Sequence, residues 1–149
     1  MTMGQMLLVL LASVLFATIS LSINNSIFLQ SELVVDQMLQ LQAQKIADRF
    51  HQKIDAELLG DVFPFDNLPT EIATYDSVFV IRQGELDQAT FSINFQSNFC
   101  DSSGDVASPD PDFQRVDIRI TTTGSRGKVL RVGTQNDPVF KVYGRLGIY

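Results

Sequence analysis

The 149-residue sequence has no tryptophan, a single cysteine and a single histidine. Cys100 by itself excludes an intrachain disulfide, and burial beside Phe99 is its expected state. Without a second histidine or cysteine, zinc sites of the usual ligand spacing are excluded. His51 falls in a charged stretch and reads as a solvated or interfacial residue rather than a catalytic base. No enzymatic constellation emerges, and neither an activity nor a cofactor is expected.

Two further absences shape the chain more strongly. Between Gly4 and Gly60 there are fifty-five residues without a glycine or proline, while the segment after them holds eight of the nine glycines and all five prolines. Such a partition predicts one very long helix followed by a small domain. Charge is also missing from the start: no charged side chain precedes Glu32, and the first basic residue is Lys45. The net charge of −6 therefore lies wholly in the remainder, which argues against nucleic acid as a partner because phosphate binding needs the opposite sign.

What fills the charge-free region is apolar. Met6 to Ile23 offers eighteen residues with nothing costlier to bury than Ser or Thr. At about 1.5 Å per residue they span roughly 27 Å, close to the ~30 Å of a bilayer core. A cleavable secretory signal would want basic residues ahead of the run and a break after it, and both are lacking. Past Asn24, Asn25 and Ser26, apolar positions continue through Ile27, Phe28, Leu33, Val34, Val35, Met38 and Leu41, broader than one stripe. Asn24-Asn25-Ser26 fits a glycosylation acceptor, but its place at the edge of an apolar helix argues against occupancy. From there Leu39, Ala43, Ile46, Ala47, Phe50, Ile54 and Leu58 recur at spacings of three and four, one helical face that needs a partner surface. Gly60 supplies the stop, with Pro64 soon after. A helix continuous to Leu59 would be on the order of 90 Å long.

The remainder alternates with the period of strands. Ser77 to Ile81, the run around Phe91, Ile93 and Phe95, the run around Val116, Ile118 and Ile120, Lys128 to Val132, and Phe140 to Ile148 predict five strands. Turns are expected at Gln83-Gly84, Gly124 to Gly127 and Asn136 to Pro138, and a polar loop from Ser97 to Asp112. The expected architecture is α+β, in three parts: an apolar membrane or filament-core helix over 1–31, its amphipathic continuation over 32–60, and a small antiparallel β-sheet head over 61–149. The sheet's greasy face should pack on the helix stripe, forming a helix–sheet seam. One loop has possible metal chemistry, since Asp101, Asp105, Asp110 and Asp112 make a weak calcium candidate. Gly124-Ser125-Arg126-Gly127 has the composition of an anion cradle but reads more simply as a hairpin turn.

A long helix, apolar then amphipathic, with an antiparallel sheet on its second half and no catalytic set resembles the type IV pilin and pseudopilin superfamily. The opening Met1-Thr2-Met3-Gly4-Gln5-Met6-Leu7-Leu8-Val9 is similar to the start of a processed pilin. In that frame the family's position-five glutamate falls on Gln5, which can hydrogen-bond but cannot form an ion pair with a neighbour's amino group. In a second frame, a prepilin-type peptidase cuts between Gly4 and Gln5, and Val9 takes the glutamate's place. Ser22 stands where the family often has a helix-breaking proline, and the family's C-terminal cysteine pair is absent. The resemblance implies a structural subunit of a cell-surface filament. Its precursor would sit in the inner membrane, and its fibre would be held by Met1, Gln5, Leu7, Leu8, Leu10, Leu11, Leu15 and Phe16 packing against copies of themselves. Two other readings remain: a minor pseudopilin serving pilus or secretion machinery, and a membrane-tethered module whose sheet domain binds a ligand or partner.

Overall fold

The computed structural model describes residues 2–75, 77–82 and 88–145. One helix, α1 (Met3–Leu59), takes up well over a third of the chain. At about 1.5 Å per residue its 57 residues reach roughly 85 Å. It ends in a reciprocal pair of backbone hydrogen bonds, Val62 N–H to Glu57 O at 2.9 Å and Asp61 N–H to Leu58 O at 3.3 Å. That cap requires a left-handed residue, and Asp61 supplies it at φ 53°, while Gly60 stays at φ −80°. The helix thus stops where Gly60 lies, with the left-handed turn one residue later.

A short 3-10 turn (Phe65–Asn67) and α2 (Leu68–Ile72) follow, with Leu68 and Ile72 buried; the sequence reading assigned nothing here. Pro69, which lacks an N–H, sits in the first turn of α2, where that N–H would find no partner.

The head is one antiparallel sheet of five strands: β1 (Val78–Arg82), β2 (Gln88–Cys100), β3 (Asp110–Thr123), β4 (Val129–Val132) and β5 (Val139–Gly144). The order is β1-β2-β3, after which β4 and β5 share the far edge of β3 end to end. Thr123 pairs with Val129 and Ile120 with Val132, then Ile118 with Val139 and Phe113 with Gly144. The loop expected over Ser97 to Asp112 is shorter than the sequence reading placed it. Ser97 to Cys100 extend β2 and Asp110 to Asp112 begin β3, joined through Asn98↔Arg115, Phe99↔Gln114 and, past a bulge, Cys100↔Asp110. Their polar side chains hid a pairing carried by backbone groups. The expected turn at Gln83-Gly84 and the terminal Leu146 and Ile148 lie outside the described residues.

Alternation decides which face is dry. Phe91, Ile93, Val116, Ile118, Ile120 and Leu130 are buried on the helix side, whereas Arg119, Arg131 and Ser92 point outward and are exposed. Against that face α1 buries Leu39, Ala43, Ile46, Ala47 and Ile54, and the whole forms a single core together with Phe63, Leu68 and Ile72. Phe50 and Leu58 are partly buried and pack on its margin.

Candidate assembly surface

The sequence divides α1 by charge, and the structure divides it by exposure. Between Thr2 and Val35 every described residue is exposed except Ser20 and Glu32, which are half-buried. Of the assembly candidates, Leu7, Leu8, Leu10, Leu11, Leu15 and Phe16 are between 59% and 74% exposed. Consecutive helical positions lie about 100° apart, so these side chains ring the helix. Met1 lies outside the described residues. Ser13 Oγ donates to Val9 O and Thr18 Oγ1 to Leu15 O, both at 2.8 Å, so these two hydroxyls spend their protons on the helix's own carbonyls. The helix is long and apolar enough to cross a membrane, and none of its eighteen-residue apolar window is buried within the chain.

Gln5 and Gly4 lie in the first turn. Gln5 Oε1 accepts a hydrogen bond from the backbone N–H of Thr2 at 3.1 Å, half of a capping box. A Cβ built on Gly4 would meet nothing within 4 Å, so the Gly4–Gln5 bond stands in open space. Asn24 is exposed in the middle of the helix.

Apolar exposure continues past the first charge. Leu33, Val34, Val35, Met38 and Leu41 are 45–59% exposed, on the sides of α1 turned away from the sheet. Beyond Leu41 the exposed helix positions are polar or charged through Lys53: Gln44, Lys45, Asp48, Arg49, Gln52 and Lys53.

Where α1 first meets the sheet, the turn between β3 and β4 clasps it. Asp36 Oδ1 accepts from Ser125 N–H at 2.8 Å, Arg126 Nε lies 2.7 Å from Glu32 Oε1, and Lys128 Nζ lies 3.7 Å from Asp36 Oδ2. The Ser125 backbone bond holds the Asp36 carboxyl below the usual carboxylate range, with Lys128 adding to it. Arg126 also stacks over Phe28, its guanidinium 5.2 Å from the ring centroid. The approach at Gly124 is close: a Cβ there would fall 2.5 Å from Asp36 Oδ1 and 2.8 Å from Leu130, so a larger residue would displace these side chains from the clasp. Gly124 to Gly127 therefore forms a turn, the simpler of the two readings, with Ser125 turned onto the helix.

Farther along the seam His51 is buried, with Nδ1 2.9 Å from Tyr143 Oη. Tyr143 Oη also reaches the His51 carbonyl at 3.2 Å, and Nε2 has no partner among the described residues. Burial lowers the histidine's pKa, and Lys141 lowers it further; Asp48, Asp55 and Asp117 oppose that shift more weakly. Beside it Phe50 meets Phe95 edge-on at 4.9 Å and stacks with Tyr75 at 5.8 Å. Lys141 pairs with Asp55, and Tyr75 donates to Glu57. Sequence reasoning missed Asp36 as a seam residue and left His51 between a solvated and an interfacial place, of which the second holds. Both lie on the stripe, Asp36 three positions before Leu39 and His51 four after Ala47, and that spacing was the available signal.

The weak calcium candidate is not supported. Asp101 Oδ1 accepts from Ser103 N–H, Ser103 Oγ and Asp105 N–H at 2.6–2.8 Å. Asp105 Oδ1 caps Ala107 N–H, Asp110 Oδ1 caps Asp112 N–H, and Asp112 faces Arg145 at 3.4 Å. The carboxylates thus organise turns, and no three acidic, histidine or cysteine side chains converge among the described residues. Cys100 is fully buried, and that burial pushes its thiol pKa up.

No protein-family model, curated protein or solved structure matches this chain.

Proposed function

We propose that this chain is a structural subunit of a type IV pilus-like filament, stored in a membrane through α1 and assembled by packing α1 against copies of itself. The observation that carries this reading is the length of the exposed apolar surface. From Met3 to Leu41 it covers 39 positions, about 58 Å of helix, whereas a bilayer core is ~30 Å thick. Lipid covers only about half of it at a time, so protein must cover the rest. Because the surface rings the helix as far as Ser31, one partner helix is not enough there, and several neighbours are needed. Identical helices meet that need, each burying its leucines against the next at about 1.5–3 kcal/mol per side chain relative to water. Repeated head-to-tail contacts of this kind grow into a helical fibre. The sheet head packs on α1 from Glu32 onward, leaving the helix before it open on every side and Leu33 to Leu41 open on the sides away from the sheet.

Electron microscopy of sheared surface material, with mass spectrometry of the purified fibre, tests the proposal. Fibres composed mainly of this chain support it. Its absence from any fibre, together with monomeric chain in the membrane fraction, contradicts it.

Gln5 favours a second reading, a minor subunit that primes or caps such a fibre. Its neutral amide already caps the helix that carries it, so it brings no charge to a neighbour's amino group. Trace amounts confined to fibre ends would favour this role over the first.

A further inference from the structure

The face of the sheet turned away from α1 is folded into a cleft over β3. One wall is the loop after β2, where Gly104 O accepts from Arg115 Nη1 at 3.0 Å and Val106 lines the cleft itself. The other wall is the connection from β4 to β5, which contributes Gly133, Thr134, Gln135 and Pro138. Gly133 is held at φ 76°, so near β3 that a Cβ would fall 2.0 Å from Ile118 O. Both walls are thus fixed to the strand that forms the floor, and the cleft has its shape before any ligand arrives.

The lining is polar and largely unspent. Arg115 and Asp117 pair through bonds of 2.6–3.0 Å, their side chains 19% and 15% exposed, and so stiffen the floor. Gln96, Asn98, Arg119 and Gln135 make no side-chain hydrogen bond or ion pair among the described residues. This cleft holds about 200 Å³; a second of about 300 Å³ shares Arg119 and the 133–135 wall with it and reaches Arg131. Thr121 pairs with Arg131, so the two arginines are diagonal neighbours on one face, about 7–8 Å apart at the backbone.

These groups select their ligand by type. An open guanidinium binds a carboxylate through two parallel hydrogen bonds. An amide donates and accepts, as a hydroxyl does, so a row of amides suits a hydroxylated ring. Asp105, beside Val106, is bonded to Ala107 N–H but keeps its negative charge, which disfavours a dense polyanion such as nucleic acid.

We infer that this cleft binds an acidic saccharide with a carboxylate on successive rings. Arg119 and Arg131 take the carboxylates, while Gln96, Asn98 and Gln135 take ring hydroxyls. The site lies on the head and does not rest on the filament reading, since α1 can be covered by lipid or by helices with this face left open.

The test titrates trigalacturonate and trimannuronate into the full chain in mild detergent. Two controls separate charge from ring chemistry: the methyl esters keep the hydroxyls without the charge, and triglutamate keeps the charge without the hydroxyls. The expected result is saturable binding of at least one acidic saccharide, weaker by about tenfold or more for its ester and for triglutamate. Arg119→Ala should cost a similar factor, whereas Arg49→Ala, which removes the same charge from α1, should cost none; an unchanged near-ultraviolet spectrum shows that each variant keeps its fold. Binding of neither saccharide, equal affinity for the ester or for triglutamate, or equal affinities in the two arginine variants overturns the inference. None of these outcomes bears on fibre formation.

Discussion

The two stretches of α1 on either side of Leu41 belong to one uninterrupted helix yet answer to different partners. Before Leu41, α1 exposes apolar side chains and buries only Asp36 and Leu39; from there to Lys53 it exposes polar groups, and it buries a stripe through Ala43, Ile46, Ala47, His51 and Ile54. A helix with a polar outer face and one apolar stripe is completed by its own chain. A helix that is apolar all round is completed only by lipid or by other helices. The difference teaches that the second stretch has found its partner, the sheet, while the first still needs one. The charge boundary at Glu32 does not mark the change. Glu32 and Asp36 face the β3–β4 turn, while Val34, Met38 and Leu41 still face outward.

Breaking the first stretch should have the largest effect. Leu8→Asp or Leu11→Asp places a carboxylate where lipid or neighbouring helices must lie, at a cost of at least ~2.5 kcal/mol on insertion scales, repeated in every subunit. Fibre formation should be abolished while the head keeps its native near-ultraviolet signature. Normal fibres from either variant would show that this surface is not covered.

Breaking the second stretch should cost stability and leave the first unaffected. Ile54 is fully buried, so Ile54→Ala should cost about 2–5 kcal/mol in denaturant unfolding of the detergent-solubilised chain. Phe50 stands half-exposed at the rim, so Phe50→Ala should cost less than the ~3–5 kcal/mol of a fully buried phenylalanine. Equal losses at the two sites would place the seam elsewhere on the helix.

A smaller effect comes from the histidine in the seam. Burial depresses the folded-state pKa of His51, so the unfolded chain takes up a proton first as pH falls. The stabilisation is present above the unfolded value of about 6.5 and is lost progressively as pH drops from there toward the folded pKa. The dip in stability between pH 7 and pH 5 should shrink in His51→Phe, and an unchanged pH profile would mean that the imidazole is solvated. Smallest of all, Asp61→Gly relieves a left-handed backbone position and should raise stability by up to about 1 kcal/mol without altering fibre yield.

Much of this was legible in the sequence, for reasons that differ from element to element. The missing glycines and prolines announced α1, and strict alternation from Arg115 to Ile120 announced the dry and wet faces of β3. The arms of β2 and β3 beyond Phe95 and before Arg115 were not legible, because Asn98, Asp110 and Asp112 look like loop residues, and a backbone ladder leaves no apolar signature. Asp36 and His51 were obscured differently. A titratable side chain on an apolar stripe reads as solvated until its partner is known, and theirs, Ser125 and Tyr143, lie about ninety residues away. The acidic loop misled in the opposite direction, since its carboxylates resemble metal ligands by composition while being spent on Ser103, Ala107 and Asp112.

The central claim, that copies of this chain cover the apolar face lipid cannot reach, is tested most directly at Met38. A Met38→Cys chain should react with a maleimide when dissolved as monomer in mild detergent, with the buried Cys100 as a silent background. The account predicts that the same cysteine is protected in sheared fibres; equal labelling in monomer and fibre would contradict it.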